Sequence, residues 1–135
     1  MTFPSRYANA VTFSFGDSPE MADELLAFVL AGIKTATCGA LRDFGPGKEA
    51  LPVVGRRDVV LDGQGRPAAV VETLELTYRR FNEVDEQFAH DEGEGFLTLA
   101  DWRASHMDYF ERHGGWSDDM ELVCERFRLI EELPR

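Results

Sequence analysis

The chain has 135 residues, of which 44% are hydrophobic, and its formal net charge at pH 7 is −11. This length suits one domain with a single core, and the acidity argues against a protein that coats nucleic acid non-specifically, because polyphosphate binding relies on lysines and arginines. No stretch reaches the roughly 20 apolar residues that span a bilayer, and no secretion signal is recognisable, so we expect a soluble, cytoplasmic protein that does not enter membranes.

The first predicted elements are a helix and a short strand. The segment "SPEMADELLAFVLAG", residues 18–32, has Ser18 as a candidate N-cap, Pro19 at the first helical position and Gly32 at the end. In "KTATCGAL", residues 34–41, β-branched threonines alternate with smaller residues, which predicts a strand.

The rest of the chain predicts a loop, a hairpin, two helices and a long strand. Residues 42–55 contain Gly-Pro-Gly and indicate a loop, and residues 56–78 indicate two strands joined by a tight turn. A short helix should end near Gly93, a second should run from about Leu99 to Arg112, and residues 120–133 should form the last strand. This order favours an α+β fold whose mixed or antiparallel sheet curls into a small β-barrel.

Lys34 is the first candidate for chemistry. It lies two residues past the helix-ending glycine, and Thr37 follows three residues later. A partly desolvated lysine can accept a proton from a hydroxyl or stabilise an oxyanion. A lysine that neutralises the helix C-terminus explains the same position, so the spacing alone leaves both interpretations open.

An acidic turn is the second candidate. In "AHDEGEG", residues 89–95, Glu92 and Glu94 lie among glycines after a helix. Opposite Lys34 in a cleft, Glu92 would form an acid–base pair with a cation nearby, whereas a solvated acidic loop explains the composition equally well.

Four further residues are candidates for substrate binding. Trp102 and His106 share one stripe of the second predicted helix and Arg103 borders it, an arrangement suited to a phosphate or carboxylate. Alternatively, Trp102 packs in the core, and His106 is a half-buried histidine whose hydrogen bonds are made within the protein. Asp17 precedes the first helix and could cap it or help present its N-terminus to an anion.

Cysteine and histidine spacings suggest no metal or redox site. Cys38 and Cys124 are far apart and outside any CxxC pattern, and the histidines miss the HExxH pattern. We therefore expect reduced thiols, no metal and no cofactor. Residues 32–80 carry eight basic side chains against six acidic ones, so a local positive face could receive a nucleotide or short RNA, although scattered solvated charges give the same numbers.

Three ordered blocks resemble the ASCH domain: "FGDSPEMADELLAFVLAGIKTAT", "AHDEGEGFLTLADWRASHMDYF" and "MELVCERFRL". The resemblance implies a PUA-like fold, a small β-barrel with flanking helices and a cleft, as one domain over residues 1–135 with a core of about 13–131. The family signature is GxKxxTxR. Gly32, Lys34 and Thr37 match it, but Gly39 occupies the arginine position, and whether Arg42 reaches the same space is open.

The resemblance also implies a range of activities. One small bacterial ASCH protein is an acetylcytidine amidohydrolase with a lysine, a threonine and a glutamate as its catalytic set, which would fall on Lys34, Thr37 and Glu92. Other members are metal-dependent or single-strand-specific ribonucleases, and the fold is associated with RNA binding. The expected ligand is a nucleoside, nucleotide or short RNA, bound by Asp17, Arg42, Trp102, Arg103 and His106. A single-strand ribonuclease and a non-catalytic binding module are the alternatives, and both a monomer and a homodimer remain open.

Overall fold

A computed structural model describes residues 5–96 and 98–135. Within them the helices and strands are, in chain order, β1 (Thr12–Phe13), α1 (Pro19–Leu30), β2 (Ala36–Ala40), β3 (Arg57–Leu61), β4 (Pro67–Arg80), α2 (Glu86–Asp91), α3 (Leu99–Arg112) and β5 (Glu121–Glu132). Short 3-10 helices lie at Ser5–Tyr7, Leu41–Asp43 and Phe81–Glu83. In this part of the chain, every helix is too short or too polar to cross a membrane.

The strands form one mixed sheet in the order β1-β3-β4-β5-β2. β1 runs parallel to β3, and the other neighbouring pairs are antiparallel. The predicted α+β fold with a mixed sheet and flanking helices is confirmed. β1 was not predicted, because two residues are too few to show an alternating pattern.

The sheet curls towards a barrel without closing. Its edge strands, β1 and β2, are not paired with each other among the described residues, yet both line the same cavity. A flat sheet would hold its two edges far apart. The cavity therefore occupies the gap at which hydrogen bonds would otherwise complete the barrel.

α1 covers one face of the sheet. The Ser18 hydroxyl accepts a hydrogen bond from the Met21 amide at 3.1 Å, and Pro19 opens the helix, as predicted. Leu25, Leu26 and Val29 are buried in the sheet-side cluster, defined as Phe15, Leu25, Leu26, Val29, Val60, Ala68, Ala69, Val71 and Phe127. Each large side chain buried there stabilises the fold by roughly 1.5–3 kcal/mol relative to an exposed one.

A second cluster lies under α2 and α3. This helix-side cluster consists of Ala36, Ala40, Phe81, Val84, Phe88, Ala89, Trp102, Phe110, Met120, Leu122 and Cys124. Trp102 is 0% exposed, and its ring lies 5.3 Å from that of Phe81. α3 begins where it was predicted to begin, because the Thr98 hydroxyl accepts a hydrogen bond from the Asp101 amide at 3.1 Å.

The turn between α1 and β2 meets the loop after α2. The Ile33 and Lys34 amides both donate to the Phe28 carbonyl, at 2.9 and 3.1 Å, so β2 starts later than the sequence predicted. Gly93 permits the close approach of the two segments. Its φ is +65°, and a Cβ there would lie 2.3 Å from the Ile33 carbonyl oxygen.

Candidate functional site

Lys34 is a buried cation with a full set of partners. Its side chain is 0% exposed, and Nζ donates to the Ala36 carbonyl at 2.7 Å, the Glu92 carbonyl at 3.2 Å and Glu94 Oε2 at 2.7 Å. An ammonium has three N–H donors, so these contacts use all of them. The three acceptors lie outside α1. Lys34 is therefore a buried cation whose hydrogen bonds do not reach the C-terminus of α1.

Glu92 lies at the end of α2 and is 1% exposed. Oε1 accepts a hydrogen bond from the Trp102 indole at 2.5 Å and lies 3.4 Å from His106 Nε2, while Oε2 lies 3.8 Å from Lys34 Nζ. Burial alone would raise the pKa of this carboxyl. The His106 contact and the Lys34 charge outweigh burial, so the pKa of Glu92 is lower than usual.

His106 connects the network to α3. Its Nδ1 lies 2.9 Å from the Trp102 carbonyl oxygen, and the imidazole stacks on the Trp102 indole with 4.1 Å between centroids. Burial lowers the pKa of His106, but the hydrogen bond and charge of Glu92 raise it by more than burial lowers it. The pKa of His106 is therefore higher than usual. Lys34, Glu92, Trp102 and His106 thus form one buried network, although they lie far apart in the sequence.

A cavity of about 520 Å³ adjoins this network. Its walls include Thr37, Cys38, Glu92, Glu94 and His106, together with residues of the 42–55 loop. A cavity of this size is within the range of small-molecule sites and can hold a nucleoside-sized ligand.

Thr37 lies on the cavity wall opposite a carboxylate that the sequence did not single out. Thr37 on β2 pairs directly with Glu125 on β5, so their Cβ atoms lie on one face about 5 Å apart. Glu125 is 7% exposed, and its Oε2 accepts a hydrogen bond from the Thr73 hydroxyl at 2.6 Å. Burial and the nearby Asp58 raise the pKa of Glu125. The sequence does show Glu125 as an acidic residue among apolar ones in the last strand. Its pairing with Thr37, however, depends on the register of β5 against β2.

Cys38 brings a thiol to the network. Its Sγ lies 3.8 Å from Glu92 Oε1, and the potential ligand atoms of Cys38, Glu92 and His106 are all within 4.8 Å of one another. Burial raises the pKa of the Cys38 thiol well above its usual value, and the charge of Glu92 raises it further. The fold therefore assembles a thiol, a carboxylate and an imidazole that sequence spacing did not connect. These three groups could hold a metal ion.

Five of the predicted site residues lie outside the set of described residues that line the cavity: Asp17, Lys34, Arg42, Trp102 and Arg103. Asp17 accepts hydrogen bonds from Arg112 Nη1 at 2.9 Å and His113 Nε2 at 2.8 Å, which lower the pKa of its carboxyl. Asp17 therefore ties the start of α1 to the end of α3. Arg103 is half-buried, and its Nε has no hydrogen-bond partner in the described part of the chain.

The Arg42 side chain is bound to the end of α3. Its Nη2 donates to the carbonyls of His113 and Gly115, at 3.3 and 2.7 Å, which holds the chain after α3. At the signature position, a Cβ on Gly39 would lie 3.0 Å from the Phe44 ring. Phe44 therefore occupies the space into which a side chain at that position would project.

The comparisons with known proteins agree with this architecture. The ASCH domain family model matches residues 11–131. The chain belongs to the ASCH domain family. The resemblance predicted from the three sequence blocks is confirmed. No curated protein matches the ASCH chain by sequence.

Solved structures support the same assignment. The protein EF3133 from Enterococcus faecalis V583 is 36% identical, with a TM-score of 0.81 over 90% of this chain and 77% of that one. An ASCH domain from Lactobacillus crispatus JV V101 is 29% identical, with a TM-score of 0.80 over 92% of this chain and 81% of that one. A point mutant of the ASCH protein from Zymomonas mobilis, 15% identical with a TM-score of 0.50 over 92% of this chain and 73% of that one, shares the fold alone.

Proposed function

We propose that this ASCH domain binds a nucleoside-sized substrate in the cavity and hydrolyses an acyl amide on its base. The observation that carries the proposal is the cross-strand pairing of Thr37 with Glu125, which puts a hydroxyl and a buried carboxyl on one face of the sheet at the cavity wall. A hydroxyl beside a desolvated carboxylate is the arrangement that nucleophilic acyl transfer requires.

The charge of the cavity favours a nucleoside over a long polyphosphate. The walls carry the cations Lys48 and Arg112, but more carboxylates: Asp43, Glu49, Asp58, Glu92, Glu94, Asp108 and Glu125. Such walls repel phosphodiesters and accept hydrogen bonds from amide and amine N–H groups. The ASCH family is associated with RNA binding, and a modified nucleoside keeps the base chemistry without the backbone charge.

The basic segment of the chain does not form a free positive surface for RNA. Arg56 binds Asp58 through two hydrogen bonds, Arg57 pairs with Glu72, and Arg66 pairs with Asp62. The basic side chains of residues 32–80 are therefore largely engaged in ion pairs and hydrogen bonds within the domain. This supports a small ligand as the substrate.

The Lys34 contacts argue for a division of roles. Because all three of its N–H donors are engaged, Lys34 offers charge and no lone pair, and the proton acceptor for Thr37 is Glu125. Glu125 takes the hydroxyl proton as Thr37 Oγ1 bonds to the acyl carbon. It returns that proton to the nitrogen as the C–N bond breaks, and water then hydrolyses the acyl ester and restores the hydroxyl.

The buried network reaches the same cavity through Glu92 and His106. Lys34 and Trp102 fix Glu92, and Glu92 in turn orients His106 at the wall. Glu92 acts here as a positioning residue.

The test uses acetylcytidine and single-stranded RNA, with products separated by chromatography. The unmodified chain should release acetate. Thr37→Val, which keeps the shape and removes the hydroxyl, should lower the rate by about 100-fold or more. Thr35→Val is the matched control, because Thr35 is exposed and its hydroxyl faces the Asp91 carbonyl. RNA cleavage without deacetylation, an unchanged rate in Thr37→Val, or no reaction on either substrate would each overturn the proposal.

A further inference from the structure

The strongest unassigned feature is the group of ligand atoms at the edge of β2. Cys38 Sγ and His106 Nε2 lie 3.8 and 3.4 Å from Glu92 Oε1, and all three atoms fall within 4.8 Å of one another. Atoms bound to one tetrahedral zinc, with zinc–ligand distances of about 2.0–2.3 Å, are separated by roughly 3.2–3.7 Å. The group is therefore close to the spacing that an ion requires.

We propose that Cys38, Glu92 and His106 bind a zinc ion. A thiolate, an imidazole and a carboxylate are the three ligand types that zinc accepts, and three protein ligands leave a fourth position for water. All three residues line the cavity, which supplies both an entry path and that water. On binding, the Cys38 thiol loses its proton to solvent as its sulfur bonds the metal.

The surroundings already hold two of the ligands in the required orientation. His106 Nδ1 lies 2.9 Å from the Trp102 carbonyl, which leaves Nε2 as the nitrogen on the Glu92 side. The indole of the same Trp102 donates to Glu92 Oε1 at 2.5 Å. A backbone carbonyl on the far imidazole nitrogen and a donor on the ligating carboxylate are the outer contacts that fix metal ligands in proteins.

The local charge also accommodates a divalent cation. Of the two carboxylates, Glu94 is the nearer to Lys34 Nζ, with Oε2 at 2.7 Å, and Glu92 Oε2 lies at 3.8 Å. Glu94 therefore offsets much of the Lys34 charge. The Glu92 carboxylate and the Cys38 thiolate remain to balance the ion. The inference goes beyond the reaction proposed above and does not depend on it.

Cobalt(II) is the probe, because it occupies zinc sites and reports its ligands by absorption. The chain, freed of metal with a chelator, is titrated with cobalt(II) and then with zinc. We expect a thiolate-to-cobalt charge-transfer band and the intense visible bands of a tetrahedral site, both removed by zinc. Cys38→Ser should abolish the charge-transfer band and weaken zinc binding by about 100-fold or more.

Cys124→Ala is the matched control. Cys124 is buried and directly opposite Cys38 across β2 and β5, so it is the other thiol that could report a band. This variant should keep the band. His106→Gln should lose the tetrahedral bands, and circular dichroism of each metal-free variant shows whether it is folded. A band that survives Cys38→Ser, a band lost in Cys124→Ala, or no band in the unmodified chain would overturn the proposal. Because no substrate is present, none of these outcomes bears on deacetylation.

Discussion

Thr37 and Glu125 stand directly opposite each other on neighbouring antiparallel strands, and both line the cavity. This register puts the two side chains on one face of the sheet, and the Glu125 carboxyl is largely hidden from water. Buried acidic groups have raised pKa values and become effective bases. Replacement of the Glu125 carboxylate should therefore lower the reaction rate more than it changes the stability of the fold.

Glu125→Gln should lower the rate of deacetylation by about 100-fold or more, because the amide keeps the shape but cannot accept the Thr37 proton. Its carbonyl can still accept the Thr73 hydrogen bond. Initial rates with acetylcytidine check this. Glu121→Gln, an exposed change on the same strand, is the control. Equal rates in the two variants would remove Glu125 from the mechanism.

As the pH is lowered, activity should be lost at a higher pH than it would be with a base that has the usual pKa of glutamate. Burial raises the pKa of Glu125 above 4.5 and Asp58 adds to the rise, while the Thr73 hydrogen bond and the charges of Arg56 and Lys34 oppose it. The base works only when ionised, so activity should be lost as pH falls through the raised pKa. Rate against pH measures this limb, and a limb at or below 4.5 would contradict it.

The same raised pKa has a consequence for stability. The folded state holds the Glu125 proton more tightly than the unfolded state, so the stability linked to this group is present at acidic pH and is lost as pH rises through the raised pKa. Glu125→Gln should therefore gain stability relative to the unmodified chain as the pH rises from about 4 to about 7. Urea unfolding at the two pH values tests the sign. A relative loss would show that the carboxylate stabilises the fold.

Lys34→Met should destabilise the domain by roughly 3–5 kcal/mol, because it leaves the carboxylates of Glu92 and Glu94 without their buried cation. Urea unfolding measures the change. The double variant Lys34→Met/Glu92→Gln should recover part of the loss. Lys48→Met is the control, because Lys48 is exposed and donates to the Arg42 carbonyl. Equal effects of the two single changes would mean that the buried network contributes little to stability.

Gly93→Ala should cost about 3 kcal/mol or more, because its Cβ would lie 2.3 Å from the Ile33 carbonyl in addition to the strain of a positive φ. Gly95 is the matched control. Its φ is +90°, and no described residue lies within 4 Å of an added Cβ, so Gly95→Ala should cost only about 1 kcal/mol. Chemical denaturation of both variants gives the difference. Equal costs would show that the contact between these loops is not tight.

Local patterns were sufficient for much of the fold. α1 and α3 begin at Ser18 and Thr98 because each cap is a short-range hydrogen bond that the sequence displays directly. The hairpin of β3 and β4 follows from two alternating runs around a turn. The meeting of Lys34 with Glu92 was anticipated as a hypothesis, since both lie at helix ends, where side chains can project into a cleft.

Relationships between distant segments could not be predicted in this way. The partner of Thr37 depends on the register of β2 against β5, and the approach of Cys38 to His106 depends on how α3 lies against the sheet edge. Neither is encoded within one local window. Arg42 shows the same limit, because its direction is set by carbonyls some seventy positions later in the chain.

The unpaired edges of the sheet give a ligand a mechanical role. β1 and β2 face one cavity from opposite ends of the strand order. A molecule that fills the cavity would contact both β1 and β2. It would link two strands that are not hydrogen-bonded to each other. Amide protons of β1 and β2 should then exchange more slowly when the ligand is bound. Ligand binding and closure of the barrel would occur together.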